Sequence, residues 1–173
     1  MFYNRRMDNS KIVFIHGSSG DKSQTYKAQL LRGLFPGMVT PDFDGDISTR
    51  MSQLQGILGK KTGWILIGSS LGGLMAALFA YQAPKQVHKL VLLAPAVSLS
   101  EFVKIPPASI GTPTIIIQGT QDELIRLPAA RELAEKVFTH LTYMVVDDDH
   151  RLHKTAMKID WKSMLEDKNG FTL

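Results

Sequence analysis

The sequence predicts an α/β fold: a three-layer α/β/α sandwich built on about six parallel strands. Three observations carry that expectation. Short runs rich in Val, Ile and Leu recur along the chain, separated by longer segments with helical periodicity. The runs are apolar at nearly every position, as in strands covered by helices on both faces. Length sets the scale: 173 residues suffice for one substantial core and fall short of two ordinary domains, so 1–173 is expected to be a single domain.

The first run, 11–15 (KIVFI), ends at His16-Gly17 and reads as a buried strand. Residues 24–35 place Leu30, Leu31, Leu34 and Phe35 on one side of a helix that Pro36-Gly37 closes. A second short strand is expected over 38–42. Ser48 fits the N-cap of a helix carrying Met51, Leu54, Ile57 and Leu58 and ending near Gly59. The third strand covers 64–68, and a helix follows Ser70 to about Gln82, ahead of Pro84. Residues 89–94 (KLVLLA) and 114–118 (TIIIQ) give the fourth and fifth strands. A helix over 128–138 sets Leu133, Ala134 and Val137 on one side, and 142–146 (TYMVV) is the last strand. A final helix covers part of 152–165. The connection 95–111, with Pro106-Pro107, is where a cap would be inserted, and it is too short for a cap domain. Within it Phe102, Val103 and Ile105 are candidates for closing over a site or for a homodimer contact, with ordinary loop packing as the alternative.

Composition narrows the function classes. A hydrophobic share of 44% with 21% charged residues is that of a soluble globular protein. No apolar run approaches the roughly 20 residues that span a bilayer. Arg5 and Arg6 are not followed by an apolar stretch, which argues against a secretory signal and fits a cytoplasmic protein. Without cysteine there is no disulfide, thiolate nucleophile or cysteine-ligated metal. The net charge of +4 is scattered over pairs such as Lys60-Lys61 and Lys158 with Lys162. No dense basic run with interleaved aromatics marks a nucleic-acid surface.

The chemistry concentrates after the third strand. Gly68-Ser69-Ser70-Leu71-Gly72 joins an apolar run to a helical segment, the strand–turn–helix setting of a Gly-x-Ser-x-Gly motif. Such a turn strains the central serine and lifts its Oγ above the sheet, while glycines make room on either side. Only Ser70 has glycine at both −2 and +2, so Ser70 is the candidate nucleophile. A serine hydroxyl needs a base, usually a histidine that a carboxylate orients. Asp122 follows the TIIIQ strand, and His150 follows the TYMVV strand. Both belong to loops at the carboxyl edge of a parallel sheet, where sites assemble.

On these residues the chain resembles an α/β-hydrolase. Gly68-Ser69-Ser70-Leu71-Gly72 stands as nucleophile elbow, Gly119-Thr120-Gln121-Asp122 as acid turn and Asp149-His150 as base loop. The resemblance spans 12–150 and is nearest to compact, lidless bacterial esterases, with the two leading strands of larger members missing. It implies that the 38–42 strand lies outside the first strand, and that the others follow the first in chain order. It further implies a serine hydrolase acting on carboxylic esters with small or medium acyl groups, without a cofactor. Ser70, Asp122 and His150 would be catalytic. The Leu71 amide and that of Ser18, or else Ser19, would hold the oxyanion; losing one such donor typically costs about 10²–10³ in rate.

Rival readings stay open here. Asp122 also suits a helix cap, and Asp147, Asp148 or Asp149 are alternative partners for His150. His153 is an alternative base, and His150-x-x-His153 beside three aspartates suggests a metal, though without convincing ligand spacing. His88 and His140 precede strands and read as surface residues, and His16 as a structural hydrogen-bonder. The stretch from Gly17 to Ser23 resembles a phosphate loop but has two residues, not four, between its glycines. Thioesterase or amidase chemistry uses the same three groups, and a non-catalytic binding protein is the remaining class.

Overall fold

A computed structural model describes residues 7–18 and 25–166. Five strands form one parallel sheet in chain order: β1 (Ile12–Ile15), β2 (Trp64–Ser69), β3 (Val87–Leu93), β4 (Thr114–Gln121) and β5 (Leu141–Asp149). The helices are α1 (Tyr26–Leu34), α2 (Ile47–Leu58), α3 (Leu71–Gln82), α4 (Ser100–Val103), α5 (Leu127–Val137), α6 (His153–Lys158) and α7 (Trp161–Glu166).

Strand parity divides the core. Val13, Ile15, Leu66, Leu90, Leu92 and Ile116 face one side, where α2, α3, α4 and α5 pack. Ile12, Phe14, Ile65, Ile67, Val91 and Ile117 face the other, beneath α1, α6 and α7. Both faces are buried, which is why the strands read as apolar runs without alternation. Helix α3 is buried from Gly72 to Ala80 and sits centrally, which accounts for its nearly unbroken apolar sequence.

The expected strand at 38–42 is reduced to one parallel bridge, Val39 on Val13. Val39 donates to the Ile12 carbonyl and accepts from the Phe14 amide, both at 2.9 Å. The next donor in that ladder would be residue 41, and Pro41 has no N–H. The bridge nevertheless lies outside β1, on the predicted side.

Other boundaries move for local reasons. Asp46, not Ser48, caps α2, accepting from the Thr49 amide at 2.8 Å. Thr25 caps α1, and residue 24 lies outside the described segment. Strands β4 and β5 extend past their apolar runs to Gln121 and Asp149. The final helix is two: α6 ends at Lys158, and Asp160 starts α7 by accepting from the Ser163 amide at 3.1 Å. His88 lies within β3 and is exposed. The connection after β3 carries only the four-residue α4. Its Phe102 and Ile105 are core residues, with Phe102 against Phe138 at 5.9 Å, as ordinary loop packing would have them, whereas Val103 is exposed.

Candidate active site

Ser70 occupies the junction of β2 and α3 with φ 54° and ψ −115°, a backbone conformation rarely adopted by a residue with a Cβ. Its amide donates to the Leu93 carbonyl at 2.9 Å, and its carbonyl accepts from Gly73 and Ala96 at 2.9 and 3.0 Å. This frame holds a strain of order 1–3 kcal/mol. The glycines on either side permit it. A Cβ on Gly68 would strike the Gly72 carbonyl, and one on Gly72 would strike the Ile15 carbonyl. Both obstacles are backbone and cannot rotate away.

The side chain so presented meets the two groups expected of it. Ser70 Oγ lies 3.1 Å from His150 Nε2. His150 Nδ1 lies 3.0 and 2.9 Å from the two carboxylate oxygens of Asp122. A carboxylate accepts only, so the proton belongs on Nδ1 and leaves Nε2 as acceptor for the serine hydroxyl. The Asp122 side chain is 1% exposed and that of His150 17%. Asp122 Oδ1 also accepts from the Leu124 and Ile125 amides at 3.0 and 2.8 Å, so the carboxylate folds its own loop while meeting the imidazole.

The remaining candidates sort out by position. Leu71 is the first residue of α3, where an amide has no acceptor within the helix. Gly17 runs against Ser70, since a Cβ there would stand 3.3 Å from the serine Cβ, and the exposed Ser18 follows Gly17 in the chain. Ser19 and most of the phosphate-loop-like stretch fall outside the described residues. His16 is buried, with Nδ1 2.6 Å from the Gly17 carbonyl and Nε2 accepting from the Phe43 amide at 2.9 Å.

The aspartates next to His150 serve the loop and do not meet the ring. Asp147 accepts from Gln121 Nε2, and Asp149 from the Arg151 and Leu152 amides. Asp148 accepts from the Asp149 amide and from the amide and hydroxyl of Thr155. Burial alone would raise its pKa, but these hydrogen bonds outweigh it and hold the carboxyl below its usual value. His153 faces Tyr26, ring to ring at 5.0 Å, and His140 bonds Thr139 and the Gly111 carbonyl. Among the described residues no cluster of three or more His, Asp or Glu is arranged for a metal, and no helix is long and apolar enough to cross a membrane.

With this geometry in place, comparison with known proteins decides the family. Residues 18–110, more than half of the chain, match the family model for the alpha/beta hydrolase fold. The chain belongs to the α/β-hydrolase family. No curated protein matches it. Among solved structures, an alpha-beta serine hydrolase homologue from Coxiella burnetii superposes with a TM-score of 0.70 at 18% identity, over 89% of this chain and 83% of the other. Est1E from Butyrivibrio proteoclasticus with bound ferulic acid gives 0.68 at 17%, over 84% and 83%. The thioesterase domain from the curacin biosynthetic pathway gives 0.68 at 15%, over 84% and 87%. At these identities the likeness is one of fold.

Three supporting residues of this α/β-hydrolase escaped the sequence reading. Gln118, fully buried in β4, donates to the Ile125 carbonyl of the acid loop at 2.7 Å and accepts from the Tyr143 hydroxyl. Burial pushes the Tyr143 phenol up to about 12. Lys27, buried on α1, donates from Nζ to the Arg151 carbonyl at 2.6 Å. A polar residue closing an apolar run was the available signal for Gln118. For Lys27 there was none, because its partner lies 124 positions away.

Proposed function

We propose that this chain is a serine hydrolase cleaving carboxylic esters with small or medium acyl groups. The observation that carries the proposal is the chain of contacts from Ser70 Oγ through His150 to Asp122. In this reading Nε2 takes the hydroxyl proton as Oγ attacks the acyl carbon. The resulting oxyanion is held by the Leu71 amide and that of Ser18. Collapse breaks the ester C–O bond, and the imidazolium returns its proton to the departing alkoxide, which leaves as the alcohol. Water then attacks the acyl carbon and gives one proton to Nε2; collapse breaks the acyl C–Oγ bond, the imidazolium passes that proton to Oγ, and the carboxylic acid leaves. Asp122 keeps the ring in its tautomer and stabilises the imidazolium; it never needs to take a proton.

The short α4 connection supports a site built from loops, suited to compact acyl groups. An active-site-directed fluorophosphonate should label wild-type protein and not Ser70→Ala, while a panel of p-nitrophenyl esters, acyl-CoAs and small amides ranks the leaving groups. Equal labelling of both proteins would overturn the assignment of Ser70. Acyl-CoA preferred over every ester would move the substrate to thioesters.

A further inference from the structure

A lysine is seldom buried without a partner, because desolvating its ammonium is costly. Lys27 is only 8% exposed, and it spends its Nζ on one backbone carbonyl, that of Arg151, at 2.6 Å. Arg151 is the residue immediately after His150. The turn that carries His150 is shaped from within. Asp149 accepts from the Arg151 and Leu152 amides, Asp148 clasps Thr155, and Leu152 takes a left-handed conformation with φ 53° and ψ 34°. These bonds close on the segment itself. They fix the shape of the turn and say little about where it stands relative to Ser70.

Lys27 supplies a tie of the second kind. It reaches from α1, a helix far from the turn in sequence. The Tyr26 and His153 rings meet alongside it, so α1 and the start of α6 approach at the same place. The charged groups around Nζ are Asp149 and Asp148 of β5, which favour the ammonium, and Arg151 of the turn, which opposes it. A 3.1 Å serine–imidazole contact has little slack, since a hydrogen bond weakens steeply as distance and angle drift.

We propose that Lys27 is a positioning residue for the reaction: its bond to the Arg151 carbonyl holds against α1 the turn that presents His150 to Ser70. The inference rests on the serine hydrolase reading of the same site.

Lys27→Met keeps the apolar stem and removes the donor. In the full chain, with a p-nitrophenyl ester, kcat should fall about 10–100-fold, the scale of a slight misplacement of a reacting group, with KM nearly unchanged. The rate of fluorophosphonate labelling should fall in parallel. Lys27→Arg, which restores a donor, should recover part of kcat. If Lys27→Met does not fold, Lys27→Leu replaces it, since leucine also has no donor. A folded Met or Leu variant with wild-type kcat and labelling rate would overturn the inference while leaving the hydrolase reading intact. A fall in kcat that Lys27→Arg does not recover at all would also overturn it. A wild-type chain with neither turnover nor labelling would remove the hydrolase reading and the inference with it.

Discussion

Buried charge at Lys27 has a thermodynamic consequence at the scale of one residue. Burial lowers its pKa from 10.5 to about 8, against the pull of Asp149 and Asp148. Between those values the unfolded chain holds a proton that the folded chain has released. Stability therefore rises with pH across this window, and below it the full cost of the buried ammonium is felt, about 3 kcal/mol from this group. Urea unfolding of wild type and Lys27→Met at pH 7 and pH 10 should show it: the wild type gains on the variant as pH rises. Parallel pH curves would refute the assignment. Ser70 lies at the opposite extreme of legibility. Its strain and its two glycines follow from a five-residue pattern, because the backbone they must clear is that of the adjoining β1 and α3. Asp122 and His150 were legible from their place just past strand ends. Lys27 was not, because a helical lysine usually points to water and nothing nearby in sequence announces a carbonyl across the fold.

At the scale of elements, β4 and β5 do the most to assemble the site. They approach so closely that a Cβ on Gly119 would strike the Asp148 carbonyl, and the register shifts between Gly119 and Gln121. That close crossing brings the loop after β4 onto the turn after β5, and so Asp122 onto His150. The acid loop is then pinned by Gln118, whose amide oxygen the Tyr143 hydroxyl satisfies from the neighbouring strand. Tyr143→Phe removes that donor and leaves a fully buried oxygen unpaired. A loss of about 1–3 kcal/mol in stability is expected, measured by denaturant unfolding. A smaller drop in kcat should accompany it, as Gln118 turns from Ile125. Gln118→Leu with Tyr143→Phe should cost less stability than the two single changes added together, because the paired polar atoms leave as a unit. Additive losses would mean that the two side chains act separately. Element ends were harder to read than element existence. A cap two residues early at Asp46, a break at Ile159-Asp160 and a missing donor at Pro41 each turn on one side chain among several of similar propensity.

At the scale of the whole molecule, the sheet is buried at its centre and, among the described residues, open along β5. In β3 every residue from Lys89 to Leu93 is buried, whereas β5 is mostly half-buried and Val145 is exposed. Among the described residues no strand pairs with the far side of β5. The ladder's phase follows from one bond, the Thr114 amide to the His140 carbonyl at 2.9 Å, with Thr114 opposite Leu141. In a parallel ladder of that phase, Thr142, Met144 and Val146 turn their amides toward β4. Tyr143, Val145 and Asp147 turn theirs outward, along an edge that Asp147 and Asp149 guard at its carboxyl end with negative charge. Amide hydrogen exchange read residue by residue should therefore alternate along β5. Thr142, Met144 and Val146 should be protected by orders of magnitude over Tyr143 and Val145, and the amides within β2 and β3 should be slowest of all, opening only with global unfolding. Uniform protection along β5 at all protein concentrations would mean that the outer edge is covered within the chain. Protection of Tyr143 and Val145 that grows with protein concentration would instead place a second copy on that edge.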